Sequence, residues 1–245
     1  MNTQLIIYPE LESTQDTARE LALAGRPEGT AVLAMKQTRG RGRSGHSWVS
    51  PPGKNVALSV ILRPLTPPSE AALLGLMAAV AVAETVEELG TDHARLKWPN
   101  DVMVHHRKIA GILPEARMTA QSVDFVIMGV GLNVNAQEED FPVDLRESAT
   151  SVFRETDKTT DLEQAAQLLL QKLNALYART TEEGCSFIPG LWQTRWAQKG
   201  ARIAIQDRVA TAVGIAEDGA LIVETADAGT MRVTSGEVLS VPPFP

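Results

Sequence analysis

The sequence has a single cysteine, Cys185, in 245 residues. No intrachain disulfide can form, and no cage of cysteines can hold zinc. Cys185 follows Gly184 with no activating base beside it and reads as core filler. This thiol economy fits a reducing compartment, so a cytoplasmic location is expected. Positive charge is also scarce: 23 Lys and Arg stand against 30 Asp and Glu, a net charge of −7. That balance argues against general nucleic-acid binding by phosphate neutralisation, and no DNA partner is expected. Long apolar runs are missing. The most apolar segment, Ala71 to Ala83, is alanine-rich and too short to span a bilayer, so no membrane partner is expected either. The start of the chain, MNTQLIIYPE, lacks the basic flank and apolar run of a signal peptide. What remains is ordinary globular composition, 44% apolar and 22% charged. The length suits one large domain, alone or with a small one.

Against this acidic background Gln37 to Trp48, QTRGRGRSGHSW, is a local basic cluster. Arg39, Arg41 and Arg43 alternate with Gly40 and Gly42, and Gly45 follows. Apolar, β-branched runs on either side, Thr30 to Met35 and Asn55 to Leu62, predict strands, so the cluster is a loop between them. Arginine offers a permanent forked charge matched to phosphate or carboxylate, and glycine lets backbone close on a ligand. Such a loop can wrap an anion; a solvated arginine–glycine turn carries the same pattern. Trp48 closes the loop, as a lid on the core or as a wall for a planar or apolar ligand.

Along the chain, Leu5 to Tyr8 reads as a short strand. Ser13, with Asp16 three residues on, suggests a capping-box start to a helix that Gly25 and Pro27 close. Ser13, Thr14 and Gln15 are then either a helix cap or polar groups beside the free N–H groups of a helix start. Ser69 to Leu89 predicts the strongest helix, capped by Ser69, stopped by Gly90 and spent on the core. In RLKWPND, residues 95–101, Asn100 and Asp101 suit a turn. Lys97 and Asp101 flank a Trp-Pro corner able to hold a charged pair at a cleft edge. Val102 to Val104 and Lys108 to Leu113 predict a hairpin turning at His105-His106-Arg107. The adjacent histidines point opposite ways if extended, so no metal site is expected there. Lys108 is a solvated strand-end lysine or a site cation, and Gly111 marks close approach by another group. Gly129 and Gly131 alternate within the strand from Val123 to Asn135, giving bare backbone on one face, a floor for a flat ligand or a bulge.

Asp161 to Arg179 predicts an amphipathic helix, and Phe187 to Trp196 a short one. From Gly200 the pattern changes to short strands: Ala201 to Ile205, Arg208 to Ile215, Ala220 to Glu224, Met231 to Thr234 and Glu237 to Val241. Gln206-Asp207 and Ala228-Gly229 are among the turns between them. Regular spacing of short strands predicts a small barrel. The expected domains are 1–197 and 198–245.

GRGRSGHSW, KWPNDV, KIAGIL and GVGLNVN, in this order and spacing, resemble the biotin protein ligase family, also called biotin–[acetyl-CoA-carboxylase] ligases. The EST before the first helix, Gln37 before the loop and the terminal strands agree. The resemblance runs from about Leu5 to the end. It implies an α+β fold: a class II synthetase-like mixed sheet backed by helices, followed by a small SH3-like β-barrel. Some members carry an N-terminal helix-turn-helix and repress transcription. Little chain precedes the EST here, so the monofunctional form is expected, as monomer or homodimer.

The resemblance implies a two-step ligase that uses ATP and Mg²⁺ to convert biotin to biotinyl-5′-AMP. The biotinyl group then passes to a lysine of a biotin carboxyl carrier domain. Lipoate or octanoate transfer on a related fold, and a non-catalytic biotin-binding module, are the rival readings. By the same resemblance, Ser13, Thr14, Gln15 and Gln37 read the ureido ring, Arg41 and Arg43 of the loop contact biotin and the adenylate, and Gly42 allows close backbone approach. Gly111, Gly129 and Gly131 bring backbone to the biotin. Arg43, His46, Trp48, Lys97, Asn100, Lys108 and Asn133 serve the adenylate side. Lys108, Arg43 and Asp101 are the catalytic candidates, Asp101 either accepting a proton from the incoming lysine or orienting Lys97 or the loop. No protein metal ligands are expected. Departures are Gln15 where asparagine is commoner, His46 where many members have arginine or lysine, and Pro114, expected to end its strand early. In the terminal strands Ser235-Gly236-Glu237 replaces a common Gly-Gly-Glu, and Val241 stands where some members place arginine.

Overall fold

The computed structural model describes residues 1–205, 208–226, 229–236 and 238–240. Gln206, Asp207, Ala228, Glu237 and Val241, invoked above, lie outside them. Seven strands make a mixed sheet: β1 (Gln4–Tyr8), β2 (Thr30–Ala34), β3 (Asn55–Leu62), β4 (Arg95–Lys97), β5 (Asp101–Val104), β6 (Arg107–Met118) and β7 (Val123–Asn133). Their order is β1-β2-β3-β7-β6-β5-β4. Only β1 and β2 run parallel, because helix α1 (Thr14–Leu23) carries the chain back between them.

One face of the sheet packs on α2 (Ala71–Glu88), α4 (Leu162–Glu183) and α5 (Ile188–Gln193), burying Leu58, Ile112, Val130 and Leu132 among Leu74, Met77 and Leu169. Pro68–Glu88 is apolar enough to cross a membrane by composition, yet its apolar side chains are spent on this core. The other face is covered only in part. Ala18 and Ala22 of α1 pack there on Val32, Ile61 and Ile127. The uncovered half of that face is a cleft.

β8 (Arg202–Ile205), β9 (Arg208–Ile215), β10 (Leu221–Thr225), β11 (Gly229–Val233) and β12 (Val238–Ser240) form a second, antiparallel sheet in the order β11-β10-β9-β8-β12. It docks beside α2: the indole N–H of Trp98 donates to the Gly219 carbonyl at 3.0 Å, and Gly219 lies against Leu73 and Leu76. A cis peptide joins Trp98 to Pro99.

Several expectations need correction. β6 does not end at Pro114 but continues to Met118. The Ile112 N–H and C=O both face Asn100, so Pro114, two residues on, directs its missing N–H past the end of β5. No ladder bond is lost there, and the ring packs under Gly75 of α2. α2 starts at Ala71, not Ser69, because Pro68–Glu70 winds as a 3₁₀ turn and Glu70 takes the cap position. β3 is buried along its whole length, by the core on one face and by α1 and the cleft side chains on the other. α4 runs one turn further than Arg179, to Glu183, and a short α3 (Val152–Thr156) was not foreseen.

Candidate active site

Sheet register assembles the floor of the cleft. Across the strands run Ala57, Gly131, Gly111, Asp101 and Lys97 as paired neighbours, one residue per strand, on one face. The next row is Ser59, Gly129 and Leu113. Three of these positions are glycine because other groups occupy the space of a side chain. A Cβ on Gly131 would lie 2.3 Å from the Trp48 ring, and one on Gly129 would lie 2.5 Å from the Gln15 amide oxygen. Gly111 meets Trp48 and the Lys108 ammonium.

Lys108 reaches this face through a β-bulge. Asp101 pairs with Gly111 and Val102 with Ala110, but Met103 pairs with Lys108, leaving Ile109 as the extra residue. Strict alternation would put Lys108 on the α2 side with Ala110 and Ile112. The bulge gives that side to Ile109, fully buried, and turns Lys108 to the cleft. There its Nζ forms an ion pair with Asp101 Oδ1 at 2.6 Å, at angles short of a hydrogen bond. It also lies 5.8 Å from the centre of the Trp48 ring.

At the closed end, the start of α1 meets β3. Thr14 N–H and hydroxyl both donate to Gln37 Oε1, at 2.8 and 3.1 Å, and Ser59 hydroxyl contacts Thr14 Oγ1 at 2.9 Å. The Gln37 oxygen is thus committed, and its amide nitrogen remains for the cleft. Ser13 stands at the helix cap position but makes no capping bond. Its hydroxyl is buried without a partner, a state costing about 1–3 kcal/mol unless a ligand completes it. Gln15 is spent internally: its amide nitrogen donates to Leu113 and Ile127 carbonyls at 3.0 and 3.2 Å, and its oxygen accepts from Ser59 at 3.0 Å.

The arginine loop curls over the cleft. Arg43 donates to Asn100 Oδ1 at 3.0 Å, and Asn100 in turn donates to the Ile112 carbonyl at 3.0 Å. Arg41 lies on two carboxylates, Asp16 and Glu115, each at 2.6 Å. Arg39 pairs with Glu12 and is not among the residues lining the cleft. These pairs are solvent-exposed and worth up to about 1 kcal/mol each, so an anionic ligand competes for Arg41 easily. The resulting cleft holds about 410 Å³, ample for a cofactor-sized molecule. Phe141, Leu145, Ser148 and Ala149 wall its open end, joined by Gly236 and Val238 of the second sheet.

The sequence profile of the Biotin/lipoate A/B protein ligase family matches residues 8–133, and that of the Biotin protein ligase C terminal domain matches residues 202–239. The Bifunctional ligase/repressor BirA of Bacillus subtilis is 37% identical over 242 residues, 97% of this chain and 74% of that protein. The chain belongs to the biotin protein ligase family. The Biotin–[acetyl-CoA-carboxylase] ligase of Paracoccus denitrificans is 34% identical, covering 90% of this chain and 95% of that one. Among solved structures, the biotin protein ligase from Aquifex aeolicus in complex with biotin and ATP superposes with a TM-score of 0.82. It is 28% identical, and the match covers 97% of this chain and 98% of that one.

All seventeen residues that the biotin-ligase resemblance nominated line one cleft. Their engagements differ from expectation in two places, at Asp101 and at Ser13. Asp101 does not hold Lys97; the bulge brings Lys108 to it instead, and Lys97 has no carboxylate partner among the described residues. Asp16 does not close a capping box with Ser13, because Arg41 captures its carboxylate. Asn133 has both amide atoms occupied, donating to the Thr150 carbonyl at 2.9 Å and accepting from Asn55 at 3.1 Å. Sequence reasoning missed Ser59, although a lone hydroxyl inside an apolar strand was the available signal. It also missed the wall at 141–149, whose residues carry no motif.

Proposed function

We propose that this cleft condenses biotin with ATP and passes the biotinyl group to a protein lysine. The carrying observation is the Lys108–Asp101 pair standing beside a glycine floor, between two chemically different ends. On β3 the cleft runs from Ser59 to Ala57, and on β7 it continues from Gly129 to Asn133, about 13 Å at about 3.3 Å per residue. At the closed end, Ser13 hydroxyl and the Gln37 amide nitrogen suit a ureido ring, which has one carbonyl and two N–H groups. The aliphatic tail then runs along the Trp48 ring, which Gly131 lets lie down on the sheet, and the carboxylate arrives at Lys108.

In the first step a biotin carboxylate oxygen attacks the α-phosphorus of ATP, the bond to the β-phosphate oxygen breaks, and pyrophosphate leaves. Two anions must meet, so the barrier falls where cations wait. Lys108 and Arg43 supply that charge, with Arg41 available once it leaves its carboxylates. In the second step a lysine amine of a carrier domain attacks the mixed anhydride carbonyl. The bond to AMP breaks, and the amine loses its proton to Asp101 or to water. The Paracoccus relative names acetyl-CoA carboxylase as its target, so a biotin carboxyl carrier domain is the proposed acceptor. Among the described residues no three His, Cys, Asp or Glu groups cluster as a metal cage. Mg²⁺ would therefore be held by the phosphates, where it would neutralise their charge.

The test is pyrophosphate release from ATP–Mg²⁺ with biotin, lipoate and octanoate in parallel. Release with biotin alone, lost in Lys108→Ala, is the expected result. Release with lipoate or octanoate instead would move the protein to the other branch of its family. Biotin binding with no release would make it a non-catalytic module.

A further inference from the structure

The segment between β7 and α3 walls the open end of the cleft, yet its own composition gives little reason to hold a shape. Its apolar cluster is three residues, Ala136, Phe141 and Ala149. Glu138, Glu139, Asp140, Asp144 and Glu147 crowd like charge into it, against Arg146. From outside, Lys54 pairs with Asp140 at 2.5 Å, and one side chain of α3 ties together several points of the segment. Arg154 of α3, only 15% exposed, donates from one guanidinium nitrogen to the carbonyls of Arg146 (3.2 Å) and Ala149 (2.8 Å). Its other terminal nitrogen pairs with Glu138 at 3.0 Å, and the charge lies 5.9 Å from the centre of the Phe141 ring. The Arg154 backbone N–H donates to Ser151 Oγ at 3.1 Å, and that hydroxyl donates to the Ala136 carbonyl at 2.5 Å. Both ends of the wall are therefore tied at one point.

The same fork touches the reaction centre indirectly. Ala149 lies between Ser148, whose carbonyl accepts the Lys108 N–H at 2.7 Å, and Thr150, whose N–H donates to the Lys108 carbonyl at 2.9 Å. A lysine cannot replace this arrangement, because a single ammonium does not span two carbonyls, a carboxylate and a ring face.

We propose that Arg154 is a positioning residue for the nucleotide half of the reaction. It holds Phe141, Leu145, Ser148 and Ala149 as a preformed wall for the adenosine end of ATP, without touching ligand itself. The inference rests on the ligase reading above. The biotin end is built by α1 and β3, whose polar contacts at Thr14, Gln15 and Ser59 do not involve Arg154.

Full-length Arg154→Met and Arg154→Lys separate the possibilities. Biotin affinity is measured by calorimetry without ATP, and pyrophosphate release is measured across ATP–Mg²⁺ concentrations. Arg154→Met is expected to raise KM for ATP about tenfold, with kcat within about twofold and the biotin Kd within about twofold. Arg154→Lys keeps the charge beside Glu138 and is expected to show the same split in smaller measure; it carries the test if Arg154→Met does not fold. A wild-type KM for ATP in whichever variants fold overturns the inference. So does a parallel loss of biotin affinity and ATP affinity, which would make Arg154 a general fold residue. Absence of pyrophosphate release from the wild type is read before any variant, and it removes the ligase reading itself.

Discussion

At the scale of single residues, the site is built as much by side chains that are missing as by those present. Gly131 has ordinary strand geometry, with no positive φ, so alanine is tolerated by the backbone. Its cost arises only from the Trp48 ring overhead. Overpacking of this kind costs about 1–3 kcal/mol. Gly131→Ala is therefore expected to weaken biotin binding about ten- to hundredfold by calorimetry, with an unchanged circular dichroism spectrum. A wild-type affinity would mean that Trp48 and the biotin do not share that floor. Asp101 poses a different question, because its carboxylate lies against Lys108. If it takes the proton from the incoming lysine, Asp101→Asn slows transfer to the acceptor far more than pyrophosphate release in single-turnover assays. Equal slowing of both steps would reduce Asp101 to orienting Lys108.

At the scale of elements, the β5–β6 hairpin is anchored by its tip. His105 and His106 both take positive φ, at 46° and 65°. His105 bridges Glu155 of α3 and Asp92, each at 2.9 Å, and Arg107 joins Glu155 at 2.9 Å. The hydrogen bond to Glu155 holds the His105 imidazolium above its ordinary value of 6.5. Burial opposes ionisation of Glu155, but Thr150, His105 and Arg107 outweigh it and hold the carboxyl below its ordinary 4.5. The signs follow. The His105 contribution is complete below pH 6.5 and fades as pH rises through its raised value. The Glu155 contribution is complete above pH 4.5 and fades as pH falls through its lowered value. The anchor is strongest between those limits. The stability difference between wild type and His105→Asn, from urea titrations, is expected to shrink as pH climbs from 6 toward 9. A difference that stays level across that range would show that the pairing adds nothing. None of this was legible in the sequence, where His105-His106 read only as a turn. Alternation predicts which residues share a face, but Asp92 and Glu155 come from distant elements and carry no period.

At the scale of the molecule, one cleft is lined by α1, the arginine loop, both central hairpins, the 141–149 wall and the second sheet. A ligand that spans it reports on the whole. At about a hundred times its Kd, biotinyl adenylate should add about 2.7 kcal/mol, and a chain of this size gains about 2–4 °C per kcal/mol. Scanning calorimetry should therefore show the midpoint rising by about 5–10 °C, and by less with biotin alone at the same free ligand concentration. An equal rise for both ligands would mean that the open end adds no contact. The strands, the long helix and the glycine floor were readable in advance because period and composition are local. The partners of Asp101, Arg41 and Asn133 were not, because sheet register and a bulge decide them.

The bulge at Ile109 has a consequence for how the gene can vary. A strand alternates by count, so the length of the turn between Val104 and Lys108 carries information that its residue identities do not. Losing one codon there and with it the bulge would exchange the faces of Lys108 and Ile109. Lys108 would be pressed among the aliphatics of α2, and Ile109 would stand over the cleft. Replacing His105 or His106 is a local matter, whereas one deleted codon beside them would take the Lys108 ammonium out of the cleft while leaving every motif in the chain intact.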